Sequence, residues 1–127
     1  MADTLERILY VDDEPDIQTV AQLALESVGG FTVKLCSSGK QALDEVADFM
    51  PQLLLLDVMM PEMDGPTTLK AMKELDVMAN VPVVFMTAKV QPQEIEEFKS
   101  LGALDVIPKP FDPMTLSDQV NAIWERA

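Results

Sequence analysis

Five short apolar segments recur along the chain at nearly even intervals: Ile8–Val11, Phe31–Leu35, Leu53–Leu56, Val81–Met86 and Leu104–Ile107. Each has the length of a strand rather than a helix. Between them the apolar positions change period. Ile17, Val20, Ala21, Ala24, Leu25 and Val28 fall at offsets 0, 3, 4, 7, 8 and 11, one stripe of an α-helix, which Gly29-Gly30 stops. Ser37 or Ser38 caps a second helix carrying Ala42, Leu43, Val46 and Ala47. A third helix is predicted from about Pro66 to Leu75, with Leu69, Met72 and Lys73 in its middle. A fourth starts near Pro92 and ends before Gly102, with Ile95, Phe98 and Leu101 facing inward. The last takes Asp112 as its N-cap and Pro113 as its first helical residue, with Leu116, Val120, Ile123 and Trp124 on one face.

Strand and helix thus alternate five times, the pattern of an α/β fold with a parallel sheet covered on both faces. The third and fourth apolar runs lack alternation, as central strands do. The fifth carries Asp105 and leads into Pro108, which suits an edge strand. No repeat, linker or low-complexity tract interrupts the pattern. The 127 residues are expected to form one domain, 1–127, with no effector domain after the last helix.

Composition narrows the function. Nine Lys+Arg stand against 22 Asp+Glu, a formal net charge of −13. Such a balance disfavours nucleic acid and anionic membrane surfaces as partners. No histidine occurs, so Ser-His-Asp and Cys-His catalysis and His-ligated zinc are excluded. Lone Cys36 cannot form an intrachain disulfide, polar Met1–Arg7 does not read as a signal peptide, and no apolar stretch reaches the ~18 residues of a membrane span. A cytoplasmic protein is expected.

Ligands of open α/β sheets bind outside the carboxyl ends of the strands. There the first strand ends in Asp12-Asp13-Glu14, the third in Asp57, the fourth in Thr87 and the fifth in Lys109-Pro110. Carboxylates about 5 Å apart repel by roughly 3 kcal/mol at an effective dielectric of about 20. Either a proton or a cation must relieve that repulsion. Hard oxygen donors suit Mg²⁺, which keeps several waters and leaves room for a phosphate. A carboxylate beside a metal, a hydroxyl and a lysine can attack phosphorus, while the cations and hydroxyl stabilise the equatorial oxygens. Glu14 and Asp16 are accounted for by the dipole of the first helix. Met59, Met60 and Met63 read as packing, with Met59 placed where it could shield a phosphoryl group, and Lys89 as a loop lysine open to the same role. Cys36 reads as a small buried hydrophobe and Trp124 as a core or interface residue.

These motifs give the chain a family resemblance over essentially its whole length. Asp12-Asp13, the stretch Asp57–Gly65 (DVMMPEMDG), Thr87-Ala88 and Lys109-Pro110-Phe111 resemble, in order and each at a strand end, the receiver domains of two-component response regulators. The resemblance is to a stand-alone, chemotaxis-receiver-like member. It implies a flavodoxin-like three-layer (βα)5 sandwich with strand order 2-1-3-4-5. It implies a phosphoacceptor signalling protein rather than an enzyme acting on a metabolite. Asp57 would take the phosphoryl group from a histidine kinase or phosphotransfer protein. Asp12, Asp13, Asp57 and the backbone carbonyl of Met59 would hold Mg²⁺, Thr87 would hydrogen-bond the phosphoryl group, and Lys109 would pair with it. A downstream protein would bind the face of the fourth helix, fifth strand and fifth helix, with Ile95, Lys99, Val106 and Phe111. The Lys109–Pro110 peptide would be cis. Val106 departs from the family, which carries an aromatic there, and Pro108 removes a strand N–H. Output is therefore expected through the Thr87–Gln91 loop and the fourth helix.

Three other functions fit less well. A Mg²⁺-dependent phosphohydrolase needs an acid two residues after its nucleophile, where Met59 stands. A flavin carrier needs a Ser/Thr/Gly-rich phosphate loop where this chain has Asp12-Asp13-Glu14-Pro15. A pseudo-receiver that binds partners without phosphorylation would not need the complete acid–Thr–Lys set.

Overall fold

The computed structural model describes residues 4–127; Met1 to Asp3, part of the polar N-terminal segment and of the expected domain range, lie outside the described residues. Strand β1 (Arg7–Val11) leads into α1 (Pro15–Gln22), which continues as a π-helical segment, Leu23–Val28. Then follow β2 (Thr32–Cys36), α2 (Gly39–Phe49), β3 (Leu53–Asp57), α3 (Gly65–Lys73), a 3₁₀ turn (Asp76–Met78) and β4 (Val83–Thr87). The chain ends with α4 (Pro92–Ser100), β5 (Asp105–Pro108) and α5 (Leu116–Glu125). The strands form one parallel sheet in the order β2-β1-β3-β4-β5, as expected for the flavodoxin-like fold. Its order reverses between β1 and β3, which places a ligand crevice at their carboxyl ends.

Side chains alternate across the sheet and divide the core in two. Leu9, Val11, Leu54, Leu56, Val83 and Phe85 pack on the side of α2, α3 and α4, against Val46, Leu69, Met72 and Phe98. Phe85 and Phe98 meet edge to face with ring centroids 5.2 Å apart. On the other side Ile8, Tyr10, Leu53, Leu55, Val84, Met86 and Ile107 meet Ala24, Leu25, Leu116, Val120 and Ile123. β3 and β4 are buried throughout, which explains their unbroken apolar runs. Each such leucine contributes about 1.5–3 kcal/mol by leaving water.

The element edges show where side chains override the simple pattern. The first helix widens after Gln22 because buried Ser117 of α5 donates its hydroxyl to the Ala24 carbonyl at 2.7 Å. The Gly29 N–H then reaches back to the Ala24 carbonyl, and a Cβ on Gly29 would run into the Ser117 hydroxyl. The widened turn carries Val28 off the expected stripe to the surface. Ser38, of the two serines considered, caps α2 by accepting from the Gln41 N–H. Asp64 caps α3, which starts at Gly65 and stops at Lys73, short of Leu75. The expected start of the last helix is corrected. Asp112 does accept from the Met114 N–H, but that bond closes a turn holding Pro113, and the helix begins at Leu116 with Thr115 at its cap. Leu101 is exposed, also against expectation, because α4 ends at Ser100 and Ala103 takes the buried place.

Candidate phosphoacceptor site

β1, β3, β4 and β5 each deliver one side chain to the same rim. Asp12 follows β1 directly, Asp57 closes β3, Thr87 closes β4 and Lys109 follows β5. Asp12, Asp57 and Thr87 are 0%, 3% and 2% exposed, so these polar groups face each other rather than bulk water. Lys109 Nζ lies 3.1 Å from Asp57 Oδ1 and 3.2 Å from Asp12 Oδ2, bridging the two carboxylates. Glu14 stands 4.0 Å from the same ammonium. Asp13 completes the acid group: carboxylate oxygens of Asp12, Asp13 and Asp57 all lie within 4.8 Å of one another. A cleft of about 150 Å³ opens beside them, lined by Glu14, Asp57, Met59, Thr87, Ala88 and Lys109. Met59 is 68% exposed, at the mouth of that cleft rather than in the core.

The backbone positions this set. Asp12 is tied to β2 by its N–H to the Cys36 carbonyl at 3.0 Å, and its Oδ1 accepts from the Glu14 N–H at 3.0 Å. After Asp57 the chain turns sharply back, with the Gly65 N–H on the Val58 carbonyl at 2.9 Å. A Cβ at Gly65 would sit 2.7 Å from the Asp57 carbonyl oxygen, so this turn requires glycine. Thr87 Oγ1 accepts from the Lys89 N–H at 3.1 Å, which leaves the hydroxyl proton free to donate. The Lys109 N–H reaches the Thr87 carbonyl at 2.9 Å, and the Lys109–Pro110 peptide is cis as expected.

The electrostatics follow from burial and charge. Burial, then the Asp12 charge, push the Asp57 carboxyl above the ordinary carboxylate range, against the pull of Lys109. Burial opposes the charge on Lys109, but its hydrogen bond to Asp57 and the Asp12 charge outweigh it and hold the ammonium above the usual lysine range.

Two contributors escape a reading of the sequence. Tyr10, buried in the α1–α5 layer, donates its hydroxyl to Asp12 Oδ2 at 3.2 Å. Burial, then the Asp12 charge, raise the phenol far above its usual range, so it remains a donor. Gln18 of α1 donates to the Asp12 carbonyl and to Ser37 Oγ, joining α1 to the β2 end. The only signal for Tyr10 was its place two residues before Asp12, on the same strand face.

The sequence model of the response regulator receiver domain matches residues 8–121. The chain belongs to that family. It is 37% identical to the regulatory protein AtoC of Escherichia coli over 97% of its length, covering 25% of AtoC. It is 36% identical to the alkaline phosphatase synthesis transcriptional regulatory protein PhoP of Bacillus subtilis over 96% of its length, covering 50% of PhoP. The receiver thus spans between a quarter and a half of these curated relatives. Among solved structures it is similar to the chemotaxis response regulator CheY4 of Vibrio cholerae, with TM-score 0.87 and 28% identity over 94% of this chain and 99% of that one. Receiver domains are signalling phosphoacceptors that bind Mg²⁺ at an acidic pocket and interact with histidine kinases or phosphotransfer proteins. In this receiver the carboxylates of Asp12, Asp13 and Asp57 form an acidic group at the rim. No helix of the described residues is long and apolar enough to cross a membrane.

Proposed function

We propose that this receiver is a free-standing response regulator that accepts a phosphoryl group on Asp57 and signals by binding another protein. The observation that carries the reading is the Lys109 ammonium, held 3.1 Å from Asp57 and 3.2 Å from Asp12 on a rim that also presents Asp13 and Thr87. Asp57 stands at the end of a buried strand, and one of its oxygens is the nucleophile. It forms a bond to phosphorus as the donor's P–N bond breaks, and the electron pair leaves with the imidazole nitrogen of a phosphohistidine. Lys109 moves with the charge from Asp57 to an equatorial phosphoryl oxygen, and Thr87 donates its hydroxyl proton to another. The donor set fits magnesium, because three hard carboxylates face one ammonium. Asp12, Asp13, Asp57 and the Met59 carbonyl would hold it. Bound there, Mg²⁺ would supply charge neutralisation for the phosphoryl oxygens.

The partners are a histidine kinase or phosphotransfer protein and a downstream protein at the α4–β5–α5 face. The chain turns over no outside metabolite, and dependence on a kinase that draws on ATP supports a cytoplasmic location. The chain covers 99% of CheY4, a single receiver in that comparison, which shows the fold and not what flanks it. It covers 25% of AtoC and 50% of PhoP, and the intact mass of the native product decides between a free-standing receiver and one with an attached output domain. The chemistry is tested with Mg²⁺ and acetyl phosphate: one phosphoryl group is expected by intact mass. Asp57→Asn should gain none, and normal labelling of that variant would move the acceptor elsewhere.

A further inference from the structure

Asp12 is a fully buried carboxylate whose oxygens are already committed. Oδ1 accepts from the Glu14 N–H at 3.0 Å, while Oδ2 accepts from Lys109 Nζ and from the Tyr10 hydroxyl, both at 3.2 Å. Two of these donors come from the rim. The third comes from below, out of the apolar layer formed with α1 and α5, where Tyr10 is 0% exposed between Ile8, Leu55 and Met86. A phenol in that layer is costly unless its hydroxyl is paired, and a phenylalanine would fill the same volume. No described buried side-chain polar atom lacks a partner, so the pairing is part of a closed network.

We propose that Tyr10 is a positioning residue of the phosphoacceptor site, its hydroxyl holding Asp12 Oδ2 toward the core so that Lys109 stays free to leave Asp12 when a divalent cation enters. The inference rests on the Mg²⁺-dependent reading above. Its physical basis is competition for one oxygen. While the phenol donates to Oδ2, the ammonium shares that atom and is shared in turn with Asp57. Without the phenol, Oδ2 retains Lys109 as its sole side-chain donor. The carboxylate plane is then fixed on one side only, and the ion pair tightens across the space that the cation must occupy. Hydrogen bonds to charged groups are stronger than neutral ones, so the redistribution is measurable.

Tyr10 is the single tyrosine of the chain, which makes the test direct. Isothermal titration with MgCl₂ is done on the wild type, Tyr10→Phe and Tyr10→Leu, with urea stability of the metal-free proteins measured alongside. Tyr10→Phe should stay close to wild type in stability yet bind Mg²⁺ roughly three- to tenfold more weakly. Tyr10→Leu reports the packing contribution by its loss of stability. A second measurement needs no variant: Mg²⁺ should shift the near-ultraviolet phenol band of the wild type as Asp12 is repolarised. Unchanged or tighter binding by Tyr10→Phe, or a phenol band indifferent to Mg²⁺, overturns the positioning role and leaves Tyr10 as packing. Absence of Mg²⁺ binding by the wild type would instead overturn the proposed function.

Discussion

Asp57 works in an environment that disfavours its own charge. Burial and Asp12 raise its folded-state value above the ordinary 3.8, while in the unfolded chain it ionises normally. The folded state therefore binds the proton more tightly, and stability falls as pH rises from 3.8 through the raised value. Asp105 runs the other way. Burial pushes it up, but Arg126, the Val106 N–H and Lys99 outweigh that, so its stabilisation is present above 3.8 and lost as pH falls through its lowered value. In metal-free protein, Asp57→Asn should remove the first slope and keep the second. Its stability advantage over wild type in urea denaturation should widen as pH is raised through that window. A constant difference would show that Asp57 is not strained by its neighbours. Asp13→Ala should also stabilise the metal-free protein, by about 1 kcal/mol for a partly exposed charge, while weakening Mg²⁺ binding. Asp13→Ala less stable than wild type would make that acid structural.

At the level of elements, β5 is an edge strand, and Pro108, paired with Thr87, turns its missing N–H to the open side while the Lys109 N–H makes the ladder bond to the Thr87 carbonyl and so ties the site lysine to β4. Val106 packs half-buried against the α2–α4 layer, and its χ1 is stiff. It cannot sweep between buried and exposed positions as a ring would. The loop after Thr87, by contrast, is exposed, with the Lys89 N–H donating to the threonine hydroxyl. Adding Mg²⁺ and beryllium fluoride should therefore move backbone amide resonances mainly at 57–65 and 87–99. Largest shifts at Val106 with α4 silent would make β5 the switch. Further out on the same face, Asp105 is tied to Arg126 of α5, with Lys99 of α4 at 4.0 Å, which braces β5 against both helices.

The whole molecule carries −13 and gathers three acids at one rim, so it is under self-repulsion that both salt and a specific cation relieve. The two effects are separable. Monovalent salt should raise the thermal midpoint of wild type and Asp13→Ala alike. Mg²⁺ at about 100 times its Kd should add roughly 2.7 kcal/mol to wild type alone, roughly 10 °C for a domain of this size. Equal responses of both proteins to Mg²⁺ at matched ionic strength would show only screening.

Much of this was open to reading along the chain, because its signals are local. Leu53–Leu56, short, apolar and without alternation, reads as a strand buried on both faces, and Asp57, Thr87 and Lys109 are legible because each directly follows or ends such a run. The alternation of period two and 3.6 dictates the layers, and a parallel sheet dictates that strand ends share a rim. What needed the tertiary structure is whatever depends on a partner from elsewhere in the chain. Ser117 widens the first helix only because α5 packs over Ala24. The last helix starts at Leu116 because the Asp112 bond closes a turn first. The Tyr10 hydroxyl becomes part of the site only when Asp12 is pinned to β2 and Lys109 arrives from β5. A hydrogen bond between distant residues leaves no period in the sequence, since its energy depends on a distance and an angle that the assembled layers set.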